Sequence, residues 1–267
     1  MRTDPSTFPS APQAAGLLLA QFLFEYLLGS ALHDLRGLLG LTGAQMTVLV
    51  MLLANAVMIT AVMHIRGMSH RSLIHPAPTA PLLTLLFLVP PVLLLVPFLV
   101  LSDVVLMDAL EAILPVSSWE QQTLSSMLAP TLPTFLATCL IAPVVEEMLF
   151  RGILLRAFLA QYPRGIAIGY SALYFGVAHL NIYQFLLAFL LGLLLGWLYE
   201  RSHSLIPGIA LHAGLNSSVM LLDMSSTATA SQEPLAVPLP VWFAAAVAAA
   251  LGCLILRRLL GLRLARR

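Results

Sequence analysis

Long apolar stretches separated by short polar ones dominate the chain. They fall at about 14–32, 44–65, 81–106, 130–155, 165–181, 182–200, 205–223 and 238–260. Each is near the roughly 20 residues a helix needs to cross a bilayer, with 165–181 and 205–223 marginal. None shows the apolar/polar alternation of a membrane barrel strand. The expected fold is therefore all-α, a polytopic membrane helical bundle with about eight transmembrane helices. The run after the first thirteen residues lacks a convincing cleavage site and reads as a retained helix.

Charge in the connections gives the expected orientation. Arg66 and Arg71 follow the second run, Arg151, Arg156 and Arg164 the fourth, and Arg201 the sixth. Arg257, Arg258, Arg263, Arg266 and Arg267 crowd the C-terminal end. Asp103, Asp108, Glu111 and Glu120 fall after the third run, and Asp223 and Glu233 after the seventh. With eight spans, the basic connections share a side with both termini, which the positive-inside rule places in the cytoplasm. Arg36, beside Asp34, is the exception. Three regions are expected: 1–129, N-terminal spans and an external loop; 130–223, a polar-motif core; and 224–267, a loop, a last span and a basic tail. Within these, 107–129 reads as an amphipathic surface helix and 224–236 as a flexible external loop. Pro90, Pro91 and Pro97 are expected to bend the third span, which a neighbouring helix must compensate.

Composition agrees with the pattern. Of the 267 residues, 60% are hydrophobic and 9% charged, against roughly 25% charged in soluble domains. A net charge of +1, without a basic patch interleaved with aromatics, gives no footing for nucleic-acid binding. Cys139 and Cys253 both lie in apolar runs and read as small apolar residues, not as a disulfide or metal pair.

Against this background a few polar residues stand out. Glu146, Glu147 and Arg151 sit in or against the fourth run, where each charge is costly. Glu147 and Arg151 are spaced to share a helical face, acid before base, the favourable order for an ion pair. Glu146 lies about 100° around the helix and points elsewhere. This suggests a braced glutamate beside a reactive one; the bland alternative is a helix end reaching the headgroups. Downstream come Phe175-Gly-Val-Ala-His179, followed by Leu180 and Asn181, and then His212-Ala-Gly-Leu-Asn216, both on expected spans. Small residues beside His179 and His212 would let neighbouring helices approach. His33, His64, His70, His75 and His203 lie in or near connections and read as interfacial. If the spans are straight, Glu146 and His212 lie nearer the cytoplasmic side and His179 toward the opposite end of its span. A tilted or early-starting fifth helix would close that gap.

Glu146-Glu147-xxx-Arg151, Phe175-xxx-His179 and His212-xxx-Asn216, in this order on successive apolar segments, resemble the CPBP family. This is the family of type II CAAX prenyl endopeptidases and of bacteriocin-processing or immunity membrane proteins, also called the Abi family. Its Phe-xx-Gly-xxx-Gly pattern is matched by Phe189, Gly192 and Gly196. The resemblance covers about 130–223. It implies an intramembrane endopeptidase acting near the C-terminus of a membrane-associated or lipidated protein or peptide. Carried over by position, Glu146 activates water with His179, while His212 and Asn216 stabilise the oxyanion. Glu147 and Arg151 fix the helix that presents Glu146. Imidazole and carboxamide N–H groups suit that oxyanion role.

No cofactor is favoured, although Glu146, His179 and His212 could form a His₂Glu site for zinc or another divalent metal. A His-Glu-xx-His sequence is absent, and Asn216 suits an oxyanion donor better than a zinc ligand, so a glutamate-type mechanism is the expectation. The rival readings are a non-catalytic immunity or assembly scaffold and an ion-coupled transporter using the glutamates and histidines as a relay. No internal repeat supports the transporter. The clear charge asymmetry is compatible with a bacterial inner membrane.

Overall fold

The computed structural model describes residues 7–127, 131–229 and 237–261, and every regular element among them is helical. The helices are α1 (Ala11–Leu39), α2 (Gly43–Arg66), α3 (His70–Ile74), α4 (Pro81–Leu93), α5 (Val96–Ile113) and α6 (Ser118–Met127). Next come α7 (Leu132–Phe135), α8 (Ala142–Glu147) and α9 (Arg156–Leu159), interleaved with π-helical stretches at Leu136–Ile141 and Met148–Leu155. The chain closes with α10 (Arg164–Val177), α11 (Ile182–Ser202), α12 (Ile206–Thr229) and α13 (Leu239–Gly261).

Among the described residues, each expected apolar run is thus mainly helical, the fifth as far as Val177. Four helices, α1, α2, α11 and α13, are individually long and apolar enough to cross a membrane, and α4 with α5 qualifies as one span bent by 43°. The 14-residue α10 is only about 21 Å long at 1.5 Å per residue. Exposed Leu, Val, Phe and Tyr side chains run along the outer faces of α1, α2, α4 and α13, a surface suited to lipid rather than water. The chain is an integral membrane protein.

Several expectations about the connections change. The surface helix expected at 107–129 is divided: its first part ends α5 at Ile113, and a separate helix, α6, begins at Ser118. The loop expected at 224–236 is helical through Thr229; 230–236, with Glu233, lies outside the described residues, as do Arg263, Arg266 and Arg267. Arg151 does not belong to a connection. Helical structure covers 132–159, and Arg151 is completely buried within it.

The chain divides into two compact units, Met1–Pro76 with Val144–Leu205, and Ala77–Pro143 with Ile206–Arg267. In the first, α1 and α2 form a hairpin. Gly40 ends α1 with φ +65°, a left-handed conformation glycine adopts without a Cβ penalty. Thr42 then caps α2, its hydroxyl accepting from Gln45 N–H at 3.3 Å. Deeper in this unit lies the Glu147–Arg151 ion pair at 2.6 Å, with both side chains essentially unexposed. The second guanidinium nitrogen donates to Gly192 O on α11 at 3.3 Å. The guanidinium carbon sits 4.4 Å above the Phe175 ring on α10, a cation–π position. One side chain therefore ties the 144–159 segment to both α10 and α11.

Glycines permit that convergence. A Cβ on Gly192 would come within 2.9 Å of Ala172 Cα, and one on Gly196 within 3.0 Å of Ile168 Cγ2. These positions belong to the Phe-xx-Gly-xxx-Gly pattern, and they let α11 lie against α10 at backbone distance. Phe189 itself stacks on Phe185, with centroids 6.2 Å apart. Gly152 is similarly confined by Leu73 of α3, 2.6 Å from where its Cβ would be. Side-chain donors end on carbonyls of the same π-helical stretch: Ser171 on Phe150 at 2.9 Å and Arg66 on Ile153 at 3.2 Å.

In the second unit, Pro90 and Pro91 lie inside α4, and Pro97 lies in the first turn of α5. The expected bend is present. Gly252 of α13 covers it, since a Cβ there would meet Pro91 O at 2.5 Å. Cys139 is buried and Cys253 exposed, both as free thiols. Cys139 packs on Met220, with the sulfurs 3.6 Å apart.

Two stability predictions follow from the first unit. Arg151→Met leaves Glu147 charged and buried, which should cost about 3–5 kcal/mol. Adding Glu147→Gln should recover most of that loss in thermal unfolding of detergent-solubilised protein; a double variant no better than the single would contradict the pairing. By the same measurement, Gly192→Ala should destabilise by about 1–3 kcal/mol through overpacking. Gly169→Ala, on the same helix pair but facing open space, should be neutral or up to about 1 kcal/mol stabilising.

Candidate active site

Glu146 lies on α8, one residue before the buried ion pair and two before the π-helical stretch Met148–Leu155. The two glutamates face differently, as helical geometry requires. Glu147 is buried on Arg151, whereas Glu146 lines a cavity of ≈ 570 Å³ within the first unit. That volume lies within the range of roughly 300–1,000 Å³ typical of ligand pockets. π-Helical turns recur at functional sites, and here one begins immediately beyond the two acids.

His179 lines the same cavity, and the helical hairpin places it at a distance from the turn similar to that of Glu146. The helix carrying Glu146 does not stop at Arg151 but continues through α9 to Leu159, and α10 starts back at Arg164. Glu146 precedes the end of α9 by about 13 residues and His179 follows the start of α10 by about 15, so both lie roughly 20 Å from the turn. Straight spans over 130–155 and 165–181 separate the two residues more, and the continuation of helix to Leu159 narrows that difference.

His179 is positioned just beyond the C-terminus of α10. Its Nδ1 lies 2.9 Å from Phe175 O, and a carbonyl can only accept, so Nδ1 carries the proton. In the neutral ring, Nε2 is then an acceptor, able to take a hydrogen bond from water. The imidazole also stands edge-on to Phe175, with centroids 5.1 Å apart. Phe175 is the ring beneath Arg151. One ring therefore contacts both Arg151 and His179. Leu180 follows with φ +53°, and Asn181 caps α11, its Oδ1 accepting from the N–H groups of Tyr183 and Gln184 at 3.0 and 3.2 Å.

His212 and Asn216 belong to the second unit, one turn apart on α12. His212 is buried. Asn216 Nδ2 donates to Thr138 O in the π-helical stretch Leu136–Ile141 at 2.9 Å; a carboxamide retains a second N–H. Between them, a Cβ on Gly214 would come within 3.1 Å of Leu93 and 3.3 Å of Val96. This small residue allows close approach to the α4–α5 bend. Among the described residues, no three His, Cys, Asp or Glu side chains are gathered to hold a metal ion.

The cavity also holds polar residues that the motifs did not single out. Gln21, Glu25, His33 and Arg36 of α1 and Asn55 of α2 all line it. His33 and Arg36 are exposed, and His33 is a cavity residue rather than only an interfacial one. Their signal was present in the chain. Glu25 is a lone acid in the first apolar run, an expensive position, and Gln21, Glu25, Gly29 and His33 recur every four residues on one helical face.

No curated protein matches the chain. Residues 128–218, which contain all three polar motifs and the paired glycines, match the family model described as Rce1-like, type II CAAX prenyl endopeptidase Rce1-like, the same family that the motifs resemble.

Proposed function

We propose that this protein is an intramembrane endopeptidase that hydrolyses a peptide bond near the C-terminus of a membrane-associated or lipidated protein or peptide. The observation that carries this reading is the meeting of Glu146 and His179 in one cavity, within a segment matching an endopeptidase family. Glu146 takes a proton from water as the water oxygen adds to the scissile carbonyl carbon. His179 Nε2 accepts a hydrogen bond from the water's other O–H and so orients it. Glu146 then returns its proton to the departing amine as the C–N bond breaks, so one carboxylate serves as base and then acid.

The role carried over for His212 and Asn216 is donation to the oxyanion; one such donor typically contributes about 10²–10³ in rate. Glu147 and Arg151 support Glu146 from the buried side. The mechanism is read as glutamate-type, and loss of activity on chelation would instead favour a metal. The proposed topology has eight membrane crossings and cytoplasmic termini, as the arginine distribution argues, in a bacterial inner membrane. Substrates are then secreted peptides or anchored tails that approach the cavity from the bilayer.

The test is comparison of protein C-termini in membranes of cells making wild type or Glu146→Gln at matched levels. Termini found only with wild type are the expected result, and they identify the substrate. With a peptide spanning the cleavage site, Asn216→Ala should lower turnover by about 10²–10³-fold. Identical termini in both strains would overturn the peptidase reading in favour of a binding scaffold.

A further inference from the structure

The α1 face of the cavity is unused by the reaction described above, and its polar atoms have a consistent chemical character. Glu25 Oε1 accepts from Gln21 Nε2 at 2.7 Å and, more weakly, from Asn55 Nδ2 at 3.5 Å. Asn55 is itself held by Met51 O at 2.9 Å. Both bonds end on the same carboxylate oxygen, Oε1, and Glu25 lines the cavity. Gln21 is only 4% exposed. Its nitrogen is committed to Glu25, and its Oε1 is buried without a hydrogen-bond partner. A buried acceptor without a donor is destabilising, and a ligand N–H would relieve it.

Charge narrows the ligand further. Glu146 lines the same cavity as Glu25, so two carboxyl groups share one space. Arg36 also lines the cavity, but its position on α1 is about 16 Å along the axis from Glu25, too far to pair with it. Apolar side chains, including Leu18, Phe22, Met46 and Val50, also line the cavity. Apolar walls ending in fixed acceptors and negative charge match a side chain with an alkyl stem and a cationic, donor-only head.

We propose that Gln21 and Glu25, held by Asn55, form a subsite for a lysine or arginine side chain of the substrate. The proposal rests on the peptidase reading of the same cavity and assigns the feature that selects the substrate. Glu25 would fix the basic residue, and with it the register of the peptide past Glu146 and His179.

Binding can be read without turnover. Hexylguanidinium and hexanoate, which share an alkyl stem and differ in the charge of the head, are titrated into purified full-length protein by calorimetry. Wild type should bind hexylguanidinium in preference to hexanoate. Glu25→Gln, which keeps an acceptor for Gln21 and Asn55, should weaken hexylguanidinium binding about tenfold or more, and Glu25→Asp should retain part of it. On the substrate peptide, replacing its basic residue by Gln should raise KM for wild type and change it little for Glu25→Gln. Equal hexylguanidinium affinity in wild type and Glu25→Gln, or equal binding of hexanoate, would overturn the subsite. Cleavage by Glu146→Gln tests the peptidase reading separately, so the two can fail independently.

Discussion

A fully buried ion pair is the constraint around which the first unit is arranged. Glu147 and Arg151 are both removed from water, and such a pair is tolerated only when good geometry and further hydrogen bonds offset the loss of hydration. Arg151 meets that condition with three partners from three segments: the Glu147 carboxylate, the Gly192 carbonyl and the face of Phe175. Each demands proximity. Gly192 can supply its carbonyl because nothing larger than hydrogen separates α11 from Ala172, and Phe175 can supply its ring because α10 lies alongside. The same arrangement points Glu146 toward the cavity and sets Phe175 against His179. The chemistry proposed for Glu146 and His179 thus depends on a neighbouring charge that does not itself face the cavity.

π-Helical geometry supports this organisation. The stretch Met148–Leu155 carries Arg151 and is buried almost throughout. Its carbonyls accept from Ser171 and Arg66, and its glycine is closed off by Leu73. The other π-helical stretch, Leu136–Ile141, accepts from Asn216 at Thr138. In both units, a polar side chain from a neighbouring helix is anchored on the backbone of a π-helical stretch. Irregular backbone survives in an apolar setting when its polar groups are engaged by protein, and these bonds provide that engagement.

In the proposed reading, the cavity would separate reaction chemistry from recognition. One side carries Glu146 and His179; another carries Gln21, Glu25 and Asn55. The first pair comes from a helical hairpin locked by the ion pair, whereas the second group comes from α1 and α2, whose apolar outer faces are largely exposed. Placing the proposed subsite on a separate helical hairpin would allow substrate preference to change without disturbing the groups proposed to activate water.

Much was legible in the amino-acid order because local rules govern it. Apolar runs must become helices in lipid, since no water is available to hydrogen-bond the backbone, and among the described residues every expected run is mainly helical. Four-residue spacing brought Glu147 onto Arg151, and prolines bent the α4–α5 span. Small residues at 192 and 196 marked the close helix pair. Depth and partnership were different. Arg151 could be read as a helix-end charge because a sequence does not state that its guanidinium will find a carboxylate, a carbonyl and an aromatic ring together. Glu25 and His33 could be read as incidental because their significance depends on which helix they face. Periodicity determines which residues share a face; only tertiary packing decides what that face meets, because the partners come from segments far apart along the chain.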